Sequence, residues 1–236
     1  GEQTRTLVVP AKHPDTDAIA RQSAAARREV SQVDVLLVNP PAPDGGIWIR
    51  SQHRVGRRSR ENMVWPQVSL AQLAALLSPT YRVRVVDAIA ERMSWPDFEA
   101  IVRRERPKYY VTQLTAPTLQ NDLYGTFLAK TVGAATMAFG THLTPMPRET
   151  LGPYPWLDYG LRGAPDLTLR EPIDHLEGNQ FTRPDPIERL FAKHDADYRP
   201  VALERLADGR PDLGPIKGLA WRRGAEIVVN PDRPFV

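Results

Sequence analysis

With 236 residues, 42% of them hydrophobic and 25% charged, the chain is long enough to bury one sizeable core, and a formal charge of +3 makes it neither strongly acidic nor strongly basic. It has no cysteine, which excludes disulfides, thiolate zinc sites, cysteine nucleophiles and iron–sulfur ligation within the chain. No apolar run approaches the ~18 residues that cross a bilayer and no signal-peptide pattern opens the chain, so a cytoplasmic protein is the default expectation. The five histidines, His13, His53, His142, His175 and His194, show neither H-x-x-x-H nor H-E-x-x-H spacing, and no metal site is expected.

Residues 1–32 read as an appended arm, an apolar triplet Leu7-Val8-Val9 followed by an Ala/Arg/Gln-rich stretch that predicts a helix over 15–30. The first core strand is predicted over 34–39. An unusually long loop, 40–66, follows, of a length that in compact domains goes with function or disorder. Within it Arg50, Arg54, Arg57, Arg58 and Arg60 crowd one short stretch together with His53. A solvated loop accounts for them, and so does an anion clamp, since guanidinium forks match phosphate and carboxylate geometry. No helix-turn-helix, zinc finger or aromatic platform accompanies them, so nucleic acid is not an expected partner.

The stretch Val68-Ser69-Leu70-Ala71-Gln72-Leu73-Ala74-Ala75-Leu76-Leu77 has helix-forming composition and stops before Pro79. A second strand is predicted over 81–87. Ser94 reads as the N-cap of a helix in which Pro96 takes an early position, as helix starts allow. The third strand spans 109–115, and a helix over 120–132 ends near Gly133, a residue suited to a helix C-terminus. The fourth strand spans 135–140, and a proline-rich loop (Pro145, Pro147, Pro153, Pro155) leads to a fifth over 157–162 and a helix over 166–177. From Gly178 to Pro215 the pattern loosens into a polar excursion with two short helices. Strand-like runs on either side of Gly224, within 217–230, then predict a hairpin.

Strands alternating with helices predict an α/β fold, a Rossmann-like (flavodoxin-type) doubly wound parallel sheet with an N-terminal arm and a C-terminal hairpin extension. In such sheets ligands occupy the crevice at the carboxyl ends of the strands. The residues there carry no G-x-G-x-x-G fingerprint and no P-loop. Asn39-Pro40-Pro41-Ala42-Pro43 cannot replace either, because proline has no N–H to offer a phosphate.

The strand ends do resemble, in order, a known pattern: V-N-P-P after the first strand, W-P-Q-V-S-L-A-Q-L-A into the first helix, V-V-D-A-I-A-E after the second strand, T-Q-L-T-A-P-T after the third, F-G-T-H-L-T-P after the fourth and L-R-G-A-P-D after the fifth. This series is similar to the cobalamin-binding domain of radical SAM enzymes, the group of the anaerobic magnesium-protoporphyrin ester cyclases and cobalamin-dependent methyltransferases. The resemblance covers about 33–178, and the closing hairpin with Asn230-Pro231-Asp232-Arg233-Pro234 is similar to the family's lead-in to its catalytic barrel. It implies three parts: an arm over 1–32, a cobalamin-binding α/β domain over 33–178, and an excursion and hairpin over 179–236 leading toward a radical SAM domain.

By the same resemblance, Asn39, Pro40 and Pro41, together with Thr112, Gln113, Leu114 and Thr115 and with Gly140, Thr141 and His142, line the floor beneath the corrin ring. Gly163 edges the pocket of the nucleotide tail, and the arginine-rich loop with Trp48 wraps the corrin edge or reaches a partner domain. The family's D-x-H-x-x-G motif is absent, since the second strand ends in Asp87-Ala88-Ile89-Ala90-Glu91. His142 is the alternative cobalt ligand, although a histidine so placed more often makes a loop hydrogen bond. Gly163-Ala164-Pro165-Asp166 stands where the family has Gly-Glu-Pro-Glu, which puts the interaction of the first Glu in doubt.

Radical SAM chemistry also requires a C-x-x-x-C-x-x-C loop, and without cysteine this chain cannot itself cleave S-adenosylmethionine. S-adenosylmethionine and a 4Fe–4S cluster would therefore act through a radical SAM domain or subunit outside it, and the linker-like last residues favour such a domain following Val236. The expected function is a cobalamin-binding module serving methyl transfer or cyclase-type chemistry. The rivals are a degenerate fold kept as a structural subunit of a larger complex and a nucleotide-sugar transferase. For the latter no convincing catalytic pair is visible, Asp87 and Glu91 being the best acids near a strand end.

Overall fold

The computed structural model describes residues 33–51, 54–179 and 203–234. The expected N-terminal arm and most of the excursion after Gly178 lie outside the described residues. The elements in chain order are β1 (Val35–Asn39), β2 (Trp48–Ser51), β3 (Arg54–Arg58), α1 (Val68–Leu77), β4 (Val83–Asp87), α2 (Trp95–Glu105), β5 (Tyr109–Gln113), a 3-10 turn (Ala116–Thr118), α3 (Leu119–Thr131), β6 (Ala135–Phe139), α4 (Pro147–Leu151), β7 (Tyr159–Leu161), α5 (Pro165–Glu177), β8 (Leu219–Arg223) and β9 (Glu226–Val229).

A seven-stranded sheet runs in the order β4-β1-β5-β6-β7-β8-β9. The first five strands of that order are parallel, and β8 and β9 extend the sheet antiparallel beside β7. Counting only the parallel strands in chain order, the arrangement is 2-1-3-4-5, the flavodoxin-type winding, with its topological switch point between β1 and β5. The expected fold class is therefore observed. The expected closing hairpin is observed, and it extends this sheet: Tyr159 pairs with Trp221 and Leu161 with Leu219.

Burial explains the strand sequences. All five residues of β1 and of β5 are buried, because a parallel sheet covered on both faces selects continuous apolar runs rather than alternation. The pleat then divides the side chains between two cores. Val35, Leu37, Tyr109 and Val111 join Leu70, Leu73 and Leu77 of α1 and Leu169 and Ile173 of α5. Leu36, Val38, Val86 and Tyr110 join Phe98, Ile101 and Val102 of α2 and Ala129 of α3.

Helix ends follow local chemistry. The Ser94 hydroxyl accepts the Asp97 N–H at 3.2 Å while Asp97 reaches back to Ser94, a capping box that starts α2. Gly178, at φ 71°, closes α5 in the left-handed conformation that glycine adopts without penalty.

Three local expectations change. The loop 40–66 contains the β2–β3 hairpin, with Trp48 opposite Arg58 and Ile49 opposite Arg57. Four arginines, Arg50, Arg54, Arg57 and Arg58, interrupt the apolar pattern and masked its strands. The proline-rich loop after β6 holds the short helix α4, because Pro147 stands at its first turn, where a missing N–H costs nothing. The fifth strand is shorter than 157–162, since only Tyr159–Leu161 pair on both sides.

Candidate functional site at the carboxyl edge of the sheet

The strand ends meet along one edge, and at the switch point that edge is filled from within the chain. Arg50, on the β2–β3 hairpin, points inward with its side chain fully buried. Its guanidinium grips Asp122 of α3 with both arms, Nη2 to Oδ1 at 2.7 Å and Nε to Oδ2 at 3.1 Å. Nη1 donates to Asn39 Oδ1 at 2.9 Å and to the Pro40 carbonyl at 3.1 Å. Asp122 also accepts from the Thr118 hydroxyl at 2.7 Å and from the Asn121 amide at 3.2 Å. Burial pushes the Asp122 carboxyl above its usual range, against the pull of Arg50, Thr118 and Asn121. A buried ion pair holds together when its remaining donors and lone pairs are largely satisfied, and here every guanidinium nitrogen and both carboxylate oxygens are hydrogen-bonded.

The network extends sideways. Asn39 donates to Asp87 Oδ1 at 2.8 Å, the Asn121 amide donates to the Pro41 carbonyl at 2.8 Å, and the Trp95 indole donates to Asn121 at 3.2 Å. The Thr115 and Thr118 hydroxyls lie 2.9 Å apart. Gly56 of β3 lies directly on Thr115, where an added Cβ would sit 2.3 Å from the threonine Oγ1. Ala42, Ile47 and Ile89 form a small apolar cluster beside it, with Trp48 packed against them. The hairpin therefore caps the ends of β4, β1 and β5.

The structure brings Asn39, Pro40, Pro41 and Thr115 together, all of them buried under this cap. Thr112 is fully buried in β5 and donates to the Val38 carbonyl at 3.3 Å. The Gln113 side-chain amide nitrogen is buried with no hydrogen-bond partner among the described residues. Leu114 is also buried, and its carbonyl lies where a Cβ on Gly140 would be, 2.3 Å away; with φ at 129°, that position admits glycine alone.

Thr141 is exposed, His142 is half-buried and Gly163 is exposed, so these residues form the open half of the edge with Ala116, Pro117 and Ala164. Thr144 ties its two loops together, donating to the Gly140 carbonyl at 3.2 Å and accepting the Gly163 N–H at 3.1 Å. The edge thus has a closed half under the hairpin and an open half lined by small and hydroxyl side chains.

The sequence reading placed Arg50 in a solvated cluster or an anion clamp, and it is in neither. Asp122, Thr118, Asn121 and Thr144 were not singled out. The readable signals were faint: a W-I-R strand pattern in the long loop, and Thr118 one helical turn before Asp122. Among the described residues no group of His, Asp or Glu is arranged to hold a metal ion, and no helix is long and apolar enough to cross a membrane.

No family model matches the chain. It is 26% identical over 173 residues to an uncharacterized methyltransferase of Pyrococcus horikoshii, an alignment covering 72% of this chain and 31% of that protein. The chain thus spans under a third of the length of the relative it matches.

Proposed function

We propose that this chain is the cobalamin-binding module of a radical SAM enzyme, acting in methyl transfer or cyclase-type chemistry. The observation that carries the reading is the meeting of the motif-bearing loops on one edge of a sheet with flavodoxin-type strand order. The Pyrococcus relative, named as a methyltransferase, agrees with the methyl-transfer half of the reading.

The open half of the edge suits a flat macrocycle rimmed by amides. Ala116, Pro117, Thr141, Gly163 and Ala164 are small or hydroxyl-bearing and exposed, and none is charged. The closed half suits a nucleotide tail poorly, because Arg50 fills the switch point and Leu70, Leu73, Leu169 and Ile173 fill the space between sheet and helices. In this reading the ring rests on the loops after β5, β6 and β7, and the hairpin serves as its side wall. Bound cobalamin would supply the methyl-carrying chemistry of cobalt. The chain's own residues orient the ring, and the Thr144 bridge ties two of its loops together. S-adenosylmethionine and the cluster would come from a radical SAM domain outside this chain, which has no cysteine to ligate iron.

The filled switch point favours a second reading, a fold of the same type kept as a structural subunit. An absorbance spectrum after incubation with hydroxocobalamin and desalting separates the two. A stoichiometric corrin spectrum is expected for the module, with bands that do not change in His142→Ala if His142 is not a cobalt ligand. A folded sample that retains no corrin supports the structural subunit.

A further inference from the structure

Where β3 leaves the edge of the sheet, Arg57, Arg58, Ser59, Arg60 and Glu61 line a groove of about 650 Å3. We propose that this groove is a binding site for a phosphate-bearing small molecule. The site goes beyond the cobalamin reading and stands whether or not that reading holds.

The argument begins with how differently the hairpin's arginines are used. Every nitrogen of the Arg50 guanidinium is hydrogen-bonded, with contacts to Asp122 as short as 2.7 Å. Arg57 is not: its nitrogens reach Glu61 at 3.4 and 3.5 Å, well beyond the ~2.7–2.9 Å of a strong charge-assisted bond. Arg58 faces Asp44 through Nε at 3.0 Å, and its terminal nitrogens donate to no described residue. Arg60 is exposed and has no carboxylate partner among the described residues. Three guanidinium groups thus face two carboxylates, Glu61 within the groove and Asp44 beside it, leaving a net positive charge and several unused donors.

Position and stiffness add to the charge. The strand carrying these residues is pinned by the Gly56–Thr115 contact and by the Arg50–Asp122 pair on its partner strand. The backbone is therefore ordered before a ligand arrives, which lowers the entropic cost of binding. The Ser59 side chain, buried at the groove, already donates to Glu61 at 3.4 Å and accepts the Met63 N–H at 3.1 Å, fixing the turn that presents Arg60. Phosphate is favoured over a lone carboxylate because its tetrahedral oxygens take donors from several directions, whereas a carboxylate is satisfied by one planar fork. A compact cluster at one point suits a single phosphate or pyrophosphate rather than a strand of nucleic acid, which needs a track of charge with stacking platforms along it.

The test is calorimetric titration of the chain with inorganic pyrophosphate, with citrate as the carboxylate comparison, at low and at physiological ionic strength. Saturable one-to-one pyrophosphate binding that persists at physiological ionic strength is expected, with citrate about tenfold weaker. Arg57→Gln and Arg60→Gln should each weaken it about tenfold, equivalent to about 1.4 kcal/mol. Arg60 is exposed and Arg57, partly exposed, makes only long contacts of 3.4–3.5 Å, so melting temperatures should stay close to the wild-type value, and a melt of each variant checks this. Four results would overturn the site: no binding, binding unchanged in the double variant, citrate binding as tightly as pyrophosphate, or binding that disappears at physiological ionic strength.

Discussion

Asp44 shows how one carboxylate organises the start of the hairpin. It accepts the Gly46 N–H and the Trp48 indole N–H, each at 2.9 Å, and pairs with Arg58 at 3.0 Å. Burial alone would raise its carboxyl, but those donors and Arg58 outweigh it and hold the group below the ordinary value of 3.8. A depressed folded pKa means that its contribution to stability is fully present above 3.8 and is lost as pH falls through the lower folded value. The Trp48 indole proton, followed by NMR, should therefore shift with a midpoint below 3.8, and the transition should vanish in Asp44→Asn. A midpoint at or above the ordinary value would show that the cluster does not form in solution. Arg50 is the opposite kind of residue, a charge enclosed by the fold. Arg50→Met leaves Asp122 buried without its partner and should cost about 3–5 kcal/mol in urea unfolding. Arg50→Met combined with Asp122→Leu should recover a large part of that loss, because removing both charges removes the desolvation penalty. A double variant no more stable than the single one would refute this account. The role of Arg50 is not legible from its neighbours in sequence, because its partners lie 11 and 72 positions away, at Asn39 and Asp122.

Among the elements, the β2–β3 hairpin departs furthest from expectation, and it defines the site. A two-stranded ribbon is marginal alone in water and needs a surface to pack on. Here the surface is the carboxyl edge of the sheet, reached through Ile47, Ile49 and Gly56. Gly56→Ala tests that seating. Its Cβ would lie 2.3 Å from Thr115 Oγ1 and 2.8 Å from Thr115 Cβ, and Thr115 is fully buried and cannot swing away. A loss of about 1–3 kcal/mol is expected from overpacking, with partial recovery when Thr115→Ala is added. Wild-type stability in Gly56→Ala would mean that the hairpin stands off the edge. α1 and α2, by contrast, are legible in their local sequence. α2 carries its capping box, and α1 carries Leu70, Leu73 and Leu77 at helical spacing, so each element's local sequence agrees with its place in the fold.

At the scale of the molecule, the sequence by itself determined the class of fold and the place where a site should lie. Continuous apolar runs, such as Val35-Leu36-Leu37-Val38, are a local consequence of burial on both faces of a sheet, and helices between them require parallel crossovers. The edge at which the strands end follows from that connectivity alone. Which strand-end residues are exposed was decided only by the tertiary structure. Asn39, Pro40, Pro41 and Thr115 lie beneath a hairpin, whereas Thr141 and Gly163 remain open. The physical reason is that exposure and ion pairing depend on contacts between segments distant in the chain. A guanidinium in a charged loop reads the same whether it meets water, as at Arg60, or a buried carboxylate, as at Arg50. The fold alone places Asp122 within 2.7 Å of one and leaves the other exposed.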